Sequence, residues 1–505
     1  MKEMLTVYNA EAVDQKNIPV LDFAMFRQII ITAVKSGSRI SSLFGMPGPD
    51  DCLKLIAVLT HDPEGRIFLL STEVKDRFLS LTPECPQAHW FEREIAEQWA
   101  VVPEGHPWLK PIRFHHSYRE GKDAWGRDFG TLPLPSVMEF FQVAGAQVHE
   151  VAVGPVHAGI IEPGHFRFQC QGEEVLHLEI SLGYQHRGVE SALPGGPDKR
   201  TIHYMETMAG DTTVGHALAY CQAVEALVGA LVPSRADFLR AIALELERLA
   251  NHVGDLGALA NDIGFLPTAS YCGRLRGDFL NMTALICGSR FGRGLIRPGG
   301  VGFDVDEKIV KELLARLKSA QRDTANAANL LWDDPMVVDR FEATGVLSQD
   351  VTEKLGLVGP AARACGMEQD VRFDYPTGIF RMAQIPVATY ATGDVFGRAY
   401  VRWLEIQRSI EFIQDQLTAL PRGEAVVSLP ALKPNALSVS LVEGWRGEIC
   451  HVAITDAQGR FNRYKVVDPS FHNWFGLAMA MRNEEISNFP LCNKSFNLSY
   501  CGHDL

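Results

Sequence analysis

The sequence predicts an α+β protein, with a small N-terminal α/β module followed by a mainly helical domain that carries a minor β region. Three observations lead there. Residues 23–34 space their apolar side chains as a helix does, while residues 66–74 form a strand-like run, so both element types occur early. From residue 214 onward, long stretches (214–231, 306–332, 397–420) keep a helical period. Between 438 and 467 the pattern alternates around Asp456-Ala457-Gln458-Gly459, a hairpin turn signal.

The chain has 505 residues, 46% hydrophobic and 22% charged, which leaves room for two or more cores. A net charge of −13 without any Lys/Arg run argues against nucleic acid as a partner. The opening residues, Met1 to Tyr8, lack an apolar core with a small-residue cleavage site, so no signal peptide is expected. No window offers the ~18–20 uncharged apolar residues that span a bilayer. The most apolar, residues 217–232, holds Glu225 and reads as a buried core helix. Ten cysteines without a Cys-x-x-Cys pair argue against a disulfide framework, an iron–sulfur cluster or a zinc ribbon on this chain. Cys492 and Cys501 stand apart in the tail, at a spacing that fits no standard metal motif.

In order, residues 1–118 are assigned to the α/β module, 119–145 to a linker rich in Gly, Pro and charge, and 146–505 to the large domain. The helix 214–231 is apolar on every face, as a central bundle helix is. Ser234, with Asp237 three residues on, reads as a capping-box-like start. The helix it opens places Leu239, Ile242, Leu246, Leu249, Val253 and Leu256 on one stripe. Glu245, Arg248, His252 and Asp255 form the opposite stripe, read as a solvated face or a face toward a neighbour. No internal repeat is present, and no Gly-x-Gly-x-x-Gly loop follows a strand to hold NADH directly.

Several ordered strings go beyond composition. Glu92-Arg93-Glu94, with Gly105-His106-Pro107 after it, resembles the signature of the smaller, 30-kDa-type hydrophilic subunit of respiratory complex I. Gly154-Pro155-Val156-His157, Pro163-Gly164-His165 and Tyr184-Gln185-His186-Arg187-Gly188-Val189-Glu190 resemble the start of its 49-kDa-type partner. They also resemble the related large subunits of group 4 nickel–iron hydrogenases of the formate hydrogenlyase and hydrogenase-4 type, in which the two units are often fused in this order. Arg446-Gly447-Glu448 and Arg297-Pro298-Gly299-Gly300-Val301 match strings of the same families, the second reading as a structural turn.

Ala209 to Glu225 resembles the first metal-binding segment of a hydrogenase large subunit, but Ala209 and Thr212 stand where its cysteines would be. The second segment, Asp-Pro-Cys-x-x-Cys, is matched to Asp468-Pro469-Ser470-Phe471-His472-Asn473, again without sulfur. Soft, low-valent nickel and iron require thiolates, and Asp211, His216, Asp468 and His472 are hard or borderline donors. No metal is expected.

The resemblance implies a quinone-type cavity instead. Tyr220, five residues before Glu225, takes the place of the complex I channel tyrosine, and Asp262, ten residues after His252, that of the aspartate paired with the channel histidine. His157 or His165 is the candidate proton donor. His216, a histidine as in the hydrogenases, lies one turn before Tyr220 on the same helix face. Tyr220, His157, Asp262 and His216 are therefore the candidate catalytic residues, and Glu190, Asp211, Glu448 and His165 the candidate substrate-binding ones. Glu190 matches a hydrogenase proton-relay carboxylate, for which burial and a raised pKa are expected; an ion pair with Arg187 is the alternative.

The implied protein is an oxidoreductase subunit of the NADH:quinone oxidoreductase/hydrogenase type, not itself hydrogen-evolving. It would lie peripherally on the cytoplasmic face of the inner membrane, in a complex that translocates ions. Implied partners are an iron–sulfur small subunit, a ferredoxin-like subunit, antiporter-like and anchor membrane subunits, and a quinone or other small redox carrier. Iron–sulfur clusters would sit in the partners, with no cofactor on this chain. A silent scaffold, or a hydrogenase with unorthodox ligands involving Cys492 and Cys501, are the rival readings.

Overall fold

Strand Leu53–His61 is the spine of the N-terminal sheet because it is apolar on both faces. It pairs antiparallel with Arg39–Pro47 on one side and Arg66–Val74 on the other. Leu5–Val7 and Val20–Leu21 extend the far edge, the second of them parallel. This computed structural model describes residues 3–128, 130–157, 159 and 161–505. The expected helix at 23–34 runs Phe23–Lys35, opened by Asp22, whose carboxylate accepts the Met25 N–H at 3.1 Å. Its buried face, Phe26, Ile30 and Ile31, packs on the sheet.

The N-terminal module is not a free-standing unit. Strand Glu11–Asp14 leaves its own sheet and pairs antiparallel with Ala436–Gly444, completing a four-stranded sheet with Gly447–Thr455 and Phe461–Val467. One apolar core runs from Val7 through to Leu505. Between the module and the large domain lies helix His89–Trp99, buried on all sides despite Glu92, Arg93, Glu94 and Glu97. Each of these charges is answered, as burial demands. Glu92 accepts from Ser80, Leu81 and Thr82; Glu97 from the Arg113 and Phe114 amides; Glu94 pairs with Arg113 and Lys465; and Arg93 donates to the Lys110 and Pro111 carbonyls. Among the described residues of 119–145 there is no helix or strand.

Helix accounts for 43% of the chain and strand for 19%, consistent with an α+β protein. Among the strands not foreseen, Val148–Val153, His165–Gln171 and Glu174–Ser181 form an antiparallel sheet. The bundle consists mainly of Thr213–Val228, Ser234–Asp262, Leu266–Cys287, Glu307–Asp333 and Val395–Thr418. Asp306 and Asp394 cap two of these helices, accepting from Ile309 and Gly397 at 2.8 Å. Ser234 caps nothing: Pro233 takes the cap position and no side chain bonds there. The hairpin at 456–460 forms as expected, with Asp456 accepting the Gln458 and Arg460 amides.

The polar stripe of Ser234–Asp262 is the main departure from expectation. Glu245, Arg248 and His252 are fully buried and Asp255 nearly so, because Val395–Thr418 and the loop at 363–372 pack over them with matching charges. Glu405 accepts from Arg363 (2.7 Å), His252 (2.8 Å) and Arg248 (3.3 Å). Arg372 joins Glu245 to Asp370, Arg363 reaches Glu443, and Asp255 pairs with Arg402. The stripe faces neither solvent nor a neighbouring subunit. No helix among the described residues is long and apolar enough to cross a membrane.

Candidate functional site

Helix Thr213–Val228 packs its first turns against the sheet of Gly447–Thr455 and Phe461–Val467, which sets His216 in a fully buried polar chain. His216 Nε2 lies 3.0 Å from Asp468 Oδ2 and its Nδ1 lies 3.1 Å from His451 Nε2. His451 Nδ1 in turn lies 2.9 Å from the Tyr464 hydroxyl. Burial raises the Asp468 pKa, but the His216 hydrogen bond and charge, with Arg446, more than offset this and hold it below the usual carboxylate range. Burial keeps His451 neutral, its pKa far below that of a free imidazole. The Asp468 carboxylate accepts from His216 Nε2–H, and the remaining ring nitrogens link His216 to His451 and His451 to the Tyr464 hydroxyl. Neither His451 nor Tyr464 was signalled by the sequence, since they lie on strands far along the chain.

Beside this chain, Arg446 grips Asp211 through two hydrogen bonds of 2.6 and 2.7 Å and stacks 3.9 Å over the Trp445 ring. Trp445 Nε1–H and the Asn251 amide both donate to the Asp211 carbonyl. Asp211 is thus an anchored ion-pair member. Arg446 also donates to the Thr212 hydroxyl at 3.3 Å and to the Asn497 carbonyl, tying the loop before the helix to the C-terminal tail. Ser470 and Asn473 have structural tasks. Ser470 Oγ accepts the Ser499 N–H at 2.8 Å, and Asn473 bonds both the N–H and the carbonyl of Val358. His472 points elsewhere, toward Phe91 and the Glu448–Arg39 pair, and burial lowers its pKa to about 4. Among the described residues no three His, Cys, Asp or Glu side chains are grouped to hold a metal ion.

A separate cleft of about 220 Å³ brings together two sequence-predicted residues that are far apart in the chain. His157 comes from the loop after Val148–Val153, and Asp262 from the last turn of Ser234–Asp262. His157 Nε2 lies 3.0 Å from the Gly164 carbonyl, and its Nδ1 has no hydrogen-bond partner among the described residues. The tail supplies Lys494 and Tyr500, over apolar Phe489 and Leu498. Gly164 is required here, because a Cβ would sit 2.5 Å from the Tyr500 ring. Sequence reasoning missed the tail residues, whose place is set by tertiary contacts: Tyr500 N–H to Glu162 (3.3 Å) and Asn497 to Asp255 (2.6 Å).

The other predicted residues lie outside the cleft. Tyr220 is buried with its ring 6.3 Å from that of Tyr464, because its helix face turns toward the sheet. Burial raises its pKa beyond that of an ordinary phenol. His165 is on a strand, packed on Phe140, accepting from Arg167 at 3.1 Å. Glu448 accepts from Arg39 at 2.9 Å in a network with Asp62 and Tyr375. Glu190 corrects an expectation: burial raises its pKa, but Lys465 (2.8 Å) and Arg463 (2.7 Å), with Arg113, pull it far down instead. Arg187 is not its partner; it donates to the carbonyls of Thr207 and Met208.

The amino-acid sequence is similar to those of known proteins. The profile of the respiratory-chain NADH dehydrogenase 30 Kd subunit matches residues 20–130, and that of the 49 Kd subunit matches residues 262–436. The chain is 28% identical to hydrogenase-4 component G of Escherichia coli over 84% of its own length and 75% of the relative's. It is 30% identical to the carbon monoxide-induced hydrogenase of Rhodospirillum rubrum, over 69% of this chain and 97% of that one. With NADH-quinone oxidoreductase subunit 4 of Thermus thermophilus it shares 31% identity, over 70% of this chain and 93% of the relative.

Proposed function

Because this chain belongs to the family that joins the complex I 30 Kd and 49 Kd subunits with hydrogenase-4 component G and formate hydrogenlyase subunit 5, we propose that it is the acceptor-site subunit of a membrane-associated redox complex. Electrons reach it from an iron–sulfur cluster in a neighbouring subunit and pass to a quinone or other small carrier in the His157–Asp262 cleft. The observation that carries this reading is the meeting of these two residues in one cleft. Reduction of a quinone takes two electrons from the cluster and two protons. In this reading His157, whose Nδ1 has no hydrogen-bond partner among the described residues, and Asp262 pass those protons on, one at a time. Ion-pumping membrane subunits and a peripheral, cytoplasmic-side position complete the proposal.

The residues at the hydrogenase-like cradle do not fit a nickel–iron group. Thr212 and the Asp468–Asn473 segment offer oxygen and nitrogen donors, already engaged with Arg446, Ser499 and Val358. Cys492 and Cys501 do not make up the deficit. Cys492 packs near Gly345 and Arg398 and Cys501 near the Ser499 hydroxyl, and burial pushes both thiols up to about 12, away from the thiolate form that binds metal.

The test uses the complex purified through a tag on this chain and reduced with dithionite, with the excess removed. Menadione is added and its reduction followed by absorbance. Asp262→Asn is expected to slow the transfer by about 10²-fold, and Tyr220→Phe, off the cleft, to leave it unchanged. A wild-type rate in Asp262→Asn removes the cleft from the path. No menadione reduction by the wild-type complex favours a scaffold.

A further inference from the structure

Arg276 and Arg290 come together on one edge of the helical bundle without a counter-charge. Arg276 projects from helix Leu266–Cys287 and lies across Gly254 of helix Ser234–Asp262, where a Cβ would sit 2.8 Å from its Cδ. Glycine is disfavoured inside a helix, and here its bare backbone is what lets the arginine lie flat. Arg290 reaches back over the helix that carries Arg276, its Nη2 3.8 Å from where Gly277 would hold a Cβ. Arg293 follows it, exposed in the same loop. None of the three side chains has a hydrogen bond or ion pair among the described residues. Arg274, close by in the chain, is different: it holds Asp278 at 2.8 Å and Asp323 at 3.4 Å. Asp211 and Glu247 line a small pocket with Arg290 and Phe291, but Asp211 is held by Arg446, and Glu247 accepts from the Val214 and Gly215 amides. The chain has a net charge of −13, so uncompensated cations gathered at one edge are a local feature and not a matter of composition.

We propose that this edge is the docking surface of the iron–sulfur subunit, whose acidic side chains pair with Arg276, Arg290 and Arg293 and which packs over Phe291. This rests on the proposed acceptor site, whose electron donor it locates. An unpaired basic edge attracts and orients an acidic protein surface. Arginine and aromatic rings are also the side chains that anchor protein interfaces, and the Phe291 ring is 42% exposed beside these arginines. Distance selects the donor subunit among acidic partners. Asp262 lies eight residues beyond Gly254 on the same helix, about 12 Å away at about 1.5 Å per residue. A cluster carried by a protein seated on this edge is thereby brought within tunnelling reach of the cleft.

The test measures iron per mole of chain in the complex purified at physiological salt through a tag on this chain. Wild type is expected to carry cluster iron and to lose it as salt is raised, because exposed charges are screened. Arg276→Glu with Arg290→Glu sets like charges against the partner and should lower the iron by at least about 10-fold. Arg276→Lys with Arg290→Lys should keep it near the wild-type level. Lys35→Glu with Lys75→Glu, exposed on the N-terminal module, should leave it unchanged. The melting temperature of each full-length chain is read alongside, and the Glu variant should melt with wild type, since these arginines hold nothing within the chain. If it melts early, Arg276→Gln with Arg290→Gln takes its place and is expected to flatten the salt dependence. Iron kept at the wild-type level in the Glu variant, or lost equally in the Lys35→Glu, Lys75→Glu control, overturns the inference and leaves the acceptor site standing. Iron retained while binding to phosphatidylglycerol vesicles is lost gives the edge to a lipid surface and overturns it too. A wild-type complex without iron overturns the acceptor site together with it.

Discussion

Replacing Glu405 by Gln removes the carboxylate on which Arg363, Arg248 and His252 converge in a site 2% exposed. The three donors keep their places, but two guanidiniums lose a counter-charge that no water can replace. Breaking a buried ion pair from one side costs about 3–5 kcal/mol. Unfolding entropy near ~2.1 cal/mol/K per residue, over 505 residues, comes to roughly 1.1 kcal/mol/K, so the melting temperature should fall by about 3–5 °C at pH 7. Burial raises the Glu405 pKa, but Arg363, His252 and Arg248 outweigh it and hold it well below the usual range. A folded-state pKa below the unfolded one gives stability that is present above the ordinary carboxylate range, about 4.3, and is lost as pH falls through the folded value. The penalty in Glu405→Gln should therefore be full at pH 7 and shrink as the pH is taken below about 4. Differential scanning calorimetry at both pH values reads this, with exposed Glu424→Gln as control. A shift under 1 °C at pH 7, or an equal fall in the control, refutes the account of the buried network.

Two further outcomes follow from single contacts. Glu247 accepts the Val214 and Gly215 amides at 2.7 and 3.1 Å, and burial together with Asp211 raises its pKa to about 8. Its folded state binds the extra proton between about pH 4.5 and 8, so it costs stability as pH rises through that window; Glu247→Gln should gain melting temperature relative to wild type from pH 6 to 8.5, and a constant difference would sink the idea. A Cβ on Gly502 would lie 2.6 Å from the Asp468 carboxyl carbon, so Gly502→Ala should displace Asp468 from His216 and destabilise by about 1–3 kcal/mol; urea unfolding indistinguishable from wild type would show that the tail gives way without cost.

Regular periodicity was legible. Residues 23–34, 66–74, 306–332 and 397–420 fold as the helices and strand that their spacing implies, give or take one or two residues, except that the last begins and ends two residues earlier. Ser234 misled because a serine near a helix start competes with proline for the cap, and Pro233 holds it here. Glu245, Arg248, His252 and Asp255 read as a surface because charge in a single sequence is normally solvated. Their partners, Arg363, Arg372, Arg402 and Glu405, lie more than a hundred residues on, where no local pattern could reveal them. In the proposed cleft, Asp262 was singled out by motif spacing and His157, with His165, by its Gly-Pro-Val-His string, whereas Tyr500 and Lys494 belong to a tail whose position depends on Arg446, Glu162 and Asp255. Tyr220 had the right spacing but its helix face turns to the sheet.

Strand Glu11–Asp14 has a consequence for biosynthesis. It leaves the ribosome about 420 residues ahead of its hydrogen-bonding mate, Ala436–Gly444. At ordinary elongation rates that delay is roughly 20–80 s, during which the amino-terminal segment must stay unpaired or be sheltered. A chain split into two polypeptides would face the same pairing as a bimolecular encounter. Fusion keeps the early strand tethered to the ribosome-bound chain that will complete its sheet, so assembly of the two units follows synthesis at a rate independent of protein concentration.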